Sequence, residues 1–202
     1  MTRLFADRRV TRVPERRSLV LTRLERAQTM IIPLSISVGL LGGICTWLFL
    51  ATNAFLIWAA FVAWACFYHS GGDAAAFRTT VVSNLFGVLV AWGAGLALAT
   101  IGPGPVLGAT IVAASITLYI LAAHIQHFSS IPAVTYGYAC TFSFLTQNPD
   151  AFTPTAMLSA SGQNALLIVS FSMIIGACFA FASAKLAGLI HGLTPKPSVS
   201  VR

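Results

Sequence analysis

Between Arg26 and Lys185 the chain carries only three formally charged side chains, Asp73, Arg78 and Asp150. A water-soluble domain carries about a quarter charged residues. Here 8% of the 202 residues are charged and 57% are hydrophobic, too little polar material to cover a surface that faces water. The solvent that suits this stretch is lipid, and long apolar runs cross lipid as helices. The length suits a single domain.

Six apolar segments divide the stretch: Ile31 to Thr52, Ala54 to His69, Thr79 to Ile101, Pro105 to Ile125, Ile131 to Thr146, and Asn164 to Ile190. The second and fifth are short for a helix that crosses about 30 Å of hydrocarbon, so they are expected to be kinked or shielded by neighbours. Turn chemistry separates the segments: Asn53, Ser70-Gly71-Gly72-Asp73, Gly102-Pro103-Gly104-Pro105 and Ser129-Ser130-Ile131-Pro132. The longest loop, Gln147 to Gly162, contains Asn148-Pro149-Asp150 and Thr153-Pro154. The expected fold class is an all-α membrane protein of six transmembrane helices (residues 30–193), between a basic cytoplasmic arm (1–29) and a short cytoplasmic tail (194–202).

The basic residues set the orientation. Eight of the twelve Lys and Arg precede residue 27, and the others are Arg78, Lys185, Lys196 and Arg202. Positive loops stay in the cytoplasm. Six crossings put the arm, an inner loop with Arg78, and the tail on that side, and the three outer loops contain no Lys or Arg. The arm also carries Asp7, Glu15 and Glu25, and the apolar run after it is long enough to span. A cleaved secretory signal or a mitochondrial presequence fits neither feature. The arm reads as a membrane-surface segment, with an amphipathic helix from Ser18 to Gln28 and anionic lipid headgroups as its partner. Nucleic acid is not an expected partner, because no soluble basic face carries base-reading or stacking groups.

The two halves resemble each other weakly. Trp64-Ala65-Cys66-Phe67 matches Tyr138-Ala139-Cys140-Thr141-Phe142. Asn84-Leu85-Phe86-Gly87 matches Met173-Ile174-Ile175-Gly176, and Trp92 then matches Phe181. A three-helix unit repeated in tandem is inserted upside down the second time, an arrangement recurrent in transporters. Chance matches among common membrane residues are the competing explanation.

No Asp, Glu, Lys or Arg sits at the centre of a segment, which argues against ion-coupled transport through a buried carboxylate. No His/Glu helix motif, phosphate loop, Cys-x-x-Cys pair or nucleophile arrangement is present, so neither an enzyme nor a metal or other cofactor is expected. The four cysteines, Cys45, Cys66, Cys140 and Cys178, read as small packing residues. Candidate solute contacts in a narrow pore are Trp64, Asn84, Trp92, Thr135 and Tyr138. Of these, Asn84 stands out, because a buried amide must find partners; with Thr80 and Ser83 it makes a polar stripe. The aromatic groups serve equally as packing. His69, His124 and His127 fall at the expected cytoplasmic edge, the last two three residues apart and so on one helix face. They read either as a pH-responsive gate or as polar tips reaching water. Gly39, Gly42, Gly43, Gly87, Ala91 and Gly95 allow close helix approach, within the chain or between copies as a homo-oligomer.

From Ile32 to Leu193 the chain resembles the bacterial inner-membrane family of unknown function DUF1097, on Gly42-Gly43 with Trp47, on Gly71-Gly72, on Gly87 and Trp92, and on a closing helix with Gly176. The Arg-rich arm and the Gln147–Gly162 loop look like additions to the compact family pattern. The resemblance implies a multi-pass protein of the bacterial inner membrane and no particular substrate. An uncharged interior with amide and aromatic groups at mid-depth suits a channel or facilitator for a small neutral solute of the amide, urea-like or weak-acid class. The other reading is a non-transporting accessory or scaffold subunit of a membrane complex.

Reporter fusions test the topology directly. A fluorescent reporter is expected to mature at both the N- and the C-terminus, and alkaline carbonate is expected to leave the protein in the membrane pellet. Reporter signals on opposite faces would rule out an even number of crossings.

Overall fold

The computed structural model describes residues 12–102 and 104–193, with side chains of the first helix described from Met30 onward. Residues 1–11 and the tail from 194 lie outside the described residues, as do the side chains of the rest of the basic arm. All regular elements among the described residues are helical. They are α1 (Arg12–Thr52), α2 (Ile57–His69), α3 (Ala74–Ile101), α4 (Pro105–Leu121), α5 (Ile131–Gln147), the short α6 (Pro154–Met157) and α7 (Ala165–Leu193). Three single 3₁₀ turns, Ala122–His124, Gln126–Phe128 and Pro149–Ala151, lie in the connections.

By length and composition four stretches can cross a bilayer: Met30–Thr52, Ala74–Ile101, Pro105–His124 and Ala165–Leu193. With its apolar helices the chain is a multi-pass membrane protein. The helices α2 and α5 are shorter, 13 and 17 residues, or about 20 and 26 Å at 1.5 Å per residue. The long helices shield them. α2 lies against α7 and α5 lies against α3, while α1 also packs on α7. In α2, Ala59, Ala60, Ala63, Trp64, Cys66 and Phe67 are all buried. The outer helices differ: 6% of the membrane window of α4 is buried, against 39% for α3 and for α7.

Several boundaries depart from the sequence expectation. The backbone is helical from Arg12 and runs into the first apolar segment without a break, past Pro33. α3 begins at Ala74, earlier than expected, because the Asp73 carboxylate accepts the Ala76 N–H at 2.8 Å and caps the helix. Arg78 therefore sits inside a helix and not in a loop. α2 turns into α3 through Gly71 and Gly72, whose φ angles of 120° and 72° belong to glycine.

Glycine also sets the centre of the bundle. A Cβ on Gly87 would overlap the Val134 carbonyl of α5, one on Gly137 the Asn84 carbonyl of α3, and one on Gly176 the Ala60 carbonyl of α2. Backbones touch at these crossings. The contacts obey a register. Ala59, Ala60, Ala63, Trp64, Cys66 and Phe67 of α2 correspond at one constant displacement to Ala133, Val134, Gly137, Tyr138, Cys140 and Thr141 of α5, and all twelve are buried. Between α3 and α7, Ala76, Thr80, Ser83, Asn84, Gly87, Val88, Ala91 and Ala94 correspond to Ala165, Val169, Ser172, Met173, Gly176, Ala177, Ala180 and Ser183, again all buried. The Gly87–Val134 and Gly176–Ala60 crossings are equivalent under these two displacements.

Gly87→Ala and Gly176→Ala are expected to destabilise the protein by about 1–3 kcal/mol or more, the usual cost of overpacking. Gly39→Ala and Gly43→Ala, where a Cβ meets open space, are expected to leave it unchanged. Thermal unfolding of the purified variants in detergent checks both.

Candidate functional site

Hydroxyl side chains on membrane helices ordinarily bond to their own backbone one turn back. Most of this protein follows that habit. Thr117 donates to the Ala113 carbonyl, Thr135 to Ile131, Thr141 to Gly137 and Ser172 to Ile168, at 2.6–3.0 Å. The first half of α3 does not. Thr80, Ser83 and Asn84 are spaced to lie on one helix face and are buried, at 0, 0 and 1% exposure. The oxygens of Thr80 and Ser83 and both amide atoms of Asn84 have no hydrogen-bond partner among the protein's own groups. The end of α2 faces the same region: the Cys66 thiol, a weak hydrogen-bonding group, is within reach of Thr80 and Ser70, and the Ser70 hydroxyl has no stronger partner either. At the Asn84 backbone itself, against Gly137, and one helix turn deeper, at Gly87 against Val134, the backbones of α3 and α5 come together. This patch is the candidate site. Each unpaired polar group in an apolar interior costs about 1–3 kcal/mol, so its retention calls for a partner from outside the chain, water or ligand.

The other sequence candidates lie around the patch and do not line one path. The Trp64 ring stacks between Phe61 and Phe179, with centroids at 5.8 and 6.2 Å. Its indole N–H is unpartnered but lies beside the Tyr68 hydroxyl, which pairs with Ser183 Oγ at 2.6 Å. Trp64 thus faces α1 and α7. Tyr138 occupies the corresponding place on α5 and pairs through its hydroxyl with Ser115 Oγ of α4 at 2.8 Å. Thr135 lies nearby, 3.3 Å from the Tyr119 hydroxyl. Tyr119 is buried against Tyr138. Trp92 donates its indole N–H to the Met157 carbonyl at 3.0 Å and ties α3 to the loop after α5.

The three candidate gate histidines gather at the end of the bundle where the polar patch lies. His69, exposed, adjoins Ser70 and meets the Tyr136 ring edge-on at 6.3 Å. His127 Nε2 is 3.5 Å from Nη2 of Arg78, two residues before Thr80. The expectation that His124 and His127 share a helix face is overturned: α4 ends at Leu121, and the two residues sit in consecutive 3₁₀ turns on either side of the extended Ile125. At the opposite end of α3 are two clefts. One, of about 340 Å³, is lined by Gln147, Asn148, Asp150 and Gln163 among others. The other, of about 380 Å³, is lined by Leu98, Ala99, Gly102, Gly104 and Phe152.

Sequence reasoning found the stripe on α3 but read Cys66 as packing and passed over Ser70. A signal was available. In a helical hairpin, residues about equally far from the turn face each other, and Cys66 and Thr80 flank Gly71-Gly72-Asp73 in that way.

From residue 35 to residue 188 the chain matches the family described as "Protein of unknown function (DUF1097)". The match runs through the Gln147–Gly162 loop and begins after the basic arm. No curated protein and no solved structure matches the chain.

Trp92→Phe keeps the ring and removes its hydrogen bond. A loss of about 1 kcal/mol is expected, read as a lowered unfolding temperature of the purified protein.

Proposed function

The chain belongs to the DUF1097 family, whose description assigns no function, and we propose from this premise that it is a non-enzymatic channel or facilitator for a small neutral solute of the amide, urea-like or weak-acid class. The observation that carries the reading is the patch of unpaired polar groups at Thr80, Ser83 and Asn84, in the second and third turns of a long, mostly apolar helix. Polar groups inside a membrane bundle are costly and mark solute paths. The absence of formal charge from the segment centres selects for a neutral solute.

The matching registers of α2 with α5 and of α3 with α7 support two three-helix halves of opposite orientation, α1–α3 and α4, α5 and α7. In that reading α2 and α5 also cross, which makes six spans, and the basic arm and tail lie together in the cytoplasm of a cell whose inner membrane holds the protein. The arm rests on anionic lipid. Backbone contact at Gly87, Gly137 and Gly176 leaves little room along the axis, which favours a facilitator whose halves part over a permanently open pore.

The second reading, an accessory or scaffold subunit, draws on the outward face of α1, where Ser35, Gly39 and Gly43 stand exposed. Such small residues suit a partner helix or a second copy.

Reconstituted vesicles decide between them. Labelled acetamide, urea and acetic acid are expected to equilibrate faster into vesicles containing the protein than into empty ones. Equal rates for all three would leave the scaffold reading.

A further inference from the structure

We infer that the polar patch on α3, beside the end of α2, is a single binding site for one small planar uncharged molecule that carries a donor and an acceptor on the same edge, as a primary amide or a protonated carboxylic acid does. The inference deepens the facilitator reading and rests on it for the supply of solute. The Asn84 carboxamide presents an N–H and a C=O side by side, neither of them paired within the protein. An edge of that kind pairs with another like it through two parallel hydrogen bonds. The hydroxyls of Ser83, Thr80 and Ser70 each donate or accept, and so can serve the remaining polar atoms of either ligand.

Charge decides between forms of the ligand. The cations flanking the start of α3 are Arg78, which is exposed and directed to His127, and Lys185 of α7, whose Nζ lies over the Phe181 ring that packs on Phe77. No other charged side chain lies on α2 or in the first three turns of α3 after Asp73 and Arg78. A carboxylate here would lie in a medium of low dielectric without a counter-charge, whereas the protonated acid or the amide would not. Size is limited by the touching backbones at Gly87 and Gly137.

The second half explains why there is one site. At the positions equivalent to Thr80 and Asn84 it carries Val169 and Met173. The hydroxyl equivalent to Ser83, that of Ser172, is occupied: it accepts the Leu56 N–H at 2.9 Å and donates to the Ile168 carbonyl. The two stretches share their packing, and of these equivalent positions only Thr80, Ser83 and Asn84 leave polar atoms free for a ligand.

The full-length protein in detergent is tested by thermal unfolding against acetamide, N,N-dimethylacetamide, and acetic acid below and above its pKa, using wild type, Asn84→Leu, Thr80→Val and, as a control remote from the patch, Thr117→Val. Acetamide and the protonated acid are expected to raise the unfolding temperature of wild type and Thr117→Val. Dimethylacetamide, which lacks the donor, and the acetate anion are not. Without ligand, Asn84→Leu and Thr80→Val are expected to melt higher than wild type, since each replaces unpaired polar atoms with apolar ones, and to lose the response to acetamide. In vesicles, Asn84→Leu is expected to slow acetamide entry at least tenfold. Lower melting of both variants without ligand, together with no acetamide response in wild type, would mean that the patch holds a structural water only and would overturn the inference. A response to acetate anion equal to that of the acid would overturn it as well. Acetamide binding without flux would keep the site and remove the facilitator reading. Flux undiminished in Asn84→Leu would keep the facilitator and remove the site.

Discussion

The architecture depends on the fact that in hydrocarbon nothing outside the protein can pair a polar group. Backbone donors and acceptors must close on themselves, so the chain is helical wherever it is apolar, and hydroxyls fold back onto the carbonyl one turn behind. The hydrophobic effect does little to bring such helices together, since lipid tails are as apolar as leucine. Contact area at short range has to do it. That requirement places Gly87, Gly137 and Gly176 at the crossings, where a single methyl group would push two backbones apart.

The crossings pair each short helix with a long one from the other half. α2 rests on α7, and α5 on α3. A helix of 13 residues cannot by itself shield its ends from a bilayer about 30 Å thick, yet six of the residues of α2 are buried and Ser172 of α7 supplies an acceptor to the N–H of Leu56, just before its first turn. The interlocking makes the short helices tolerable. It also moves the outer helices α1 and α4 to the rim, where their large apolar side chains, Trp47 and Leu118 among them, stand exposed to lipid.

Against this background of satisfied groups the patch on α3 is an exception. Packing alone would have been served by valine and methionine, which are what the equivalent positions of α7 carry. Its polarity was legible in the sequence, since Asn84 in an apolar run is conspicuous and Thr80 and Ser83 share its face. The contribution of Cys66 and Ser70 was not, because it depends on how the α2–α3 hairpin closes. The aromatic candidates misled in the opposite sense. Trp64 and Tyr138 look alike in the sequence, but Trp64 stacks on Phe179 of α7 and Tyr138 pairs with Ser115 of α4, on different flanks of the bundle. His124 and His127 failed for a local reason: their spacing implies a shared face only if the helix continues, and α4 stops at Leu121.

By itself the sequence determined the solvent, the general course of the apolar runs, the turns at Gly71-Gly72 and Gly102, and an interior free of formal charge. These follow from composition and local backbone preference, which act within a few residues. Only the tertiary structure decided which helices touch, that the central glycines are contact points and not flexible ones, and that Thr80, Ser83 and Asn84 go unpaired while the hydroxyls of Thr117, Thr135, Thr141 and Ser172 do not. Apolar helices look much alike along their length, and close packing is a property of two surfaces meeting. No single segment carries the shape of its partner.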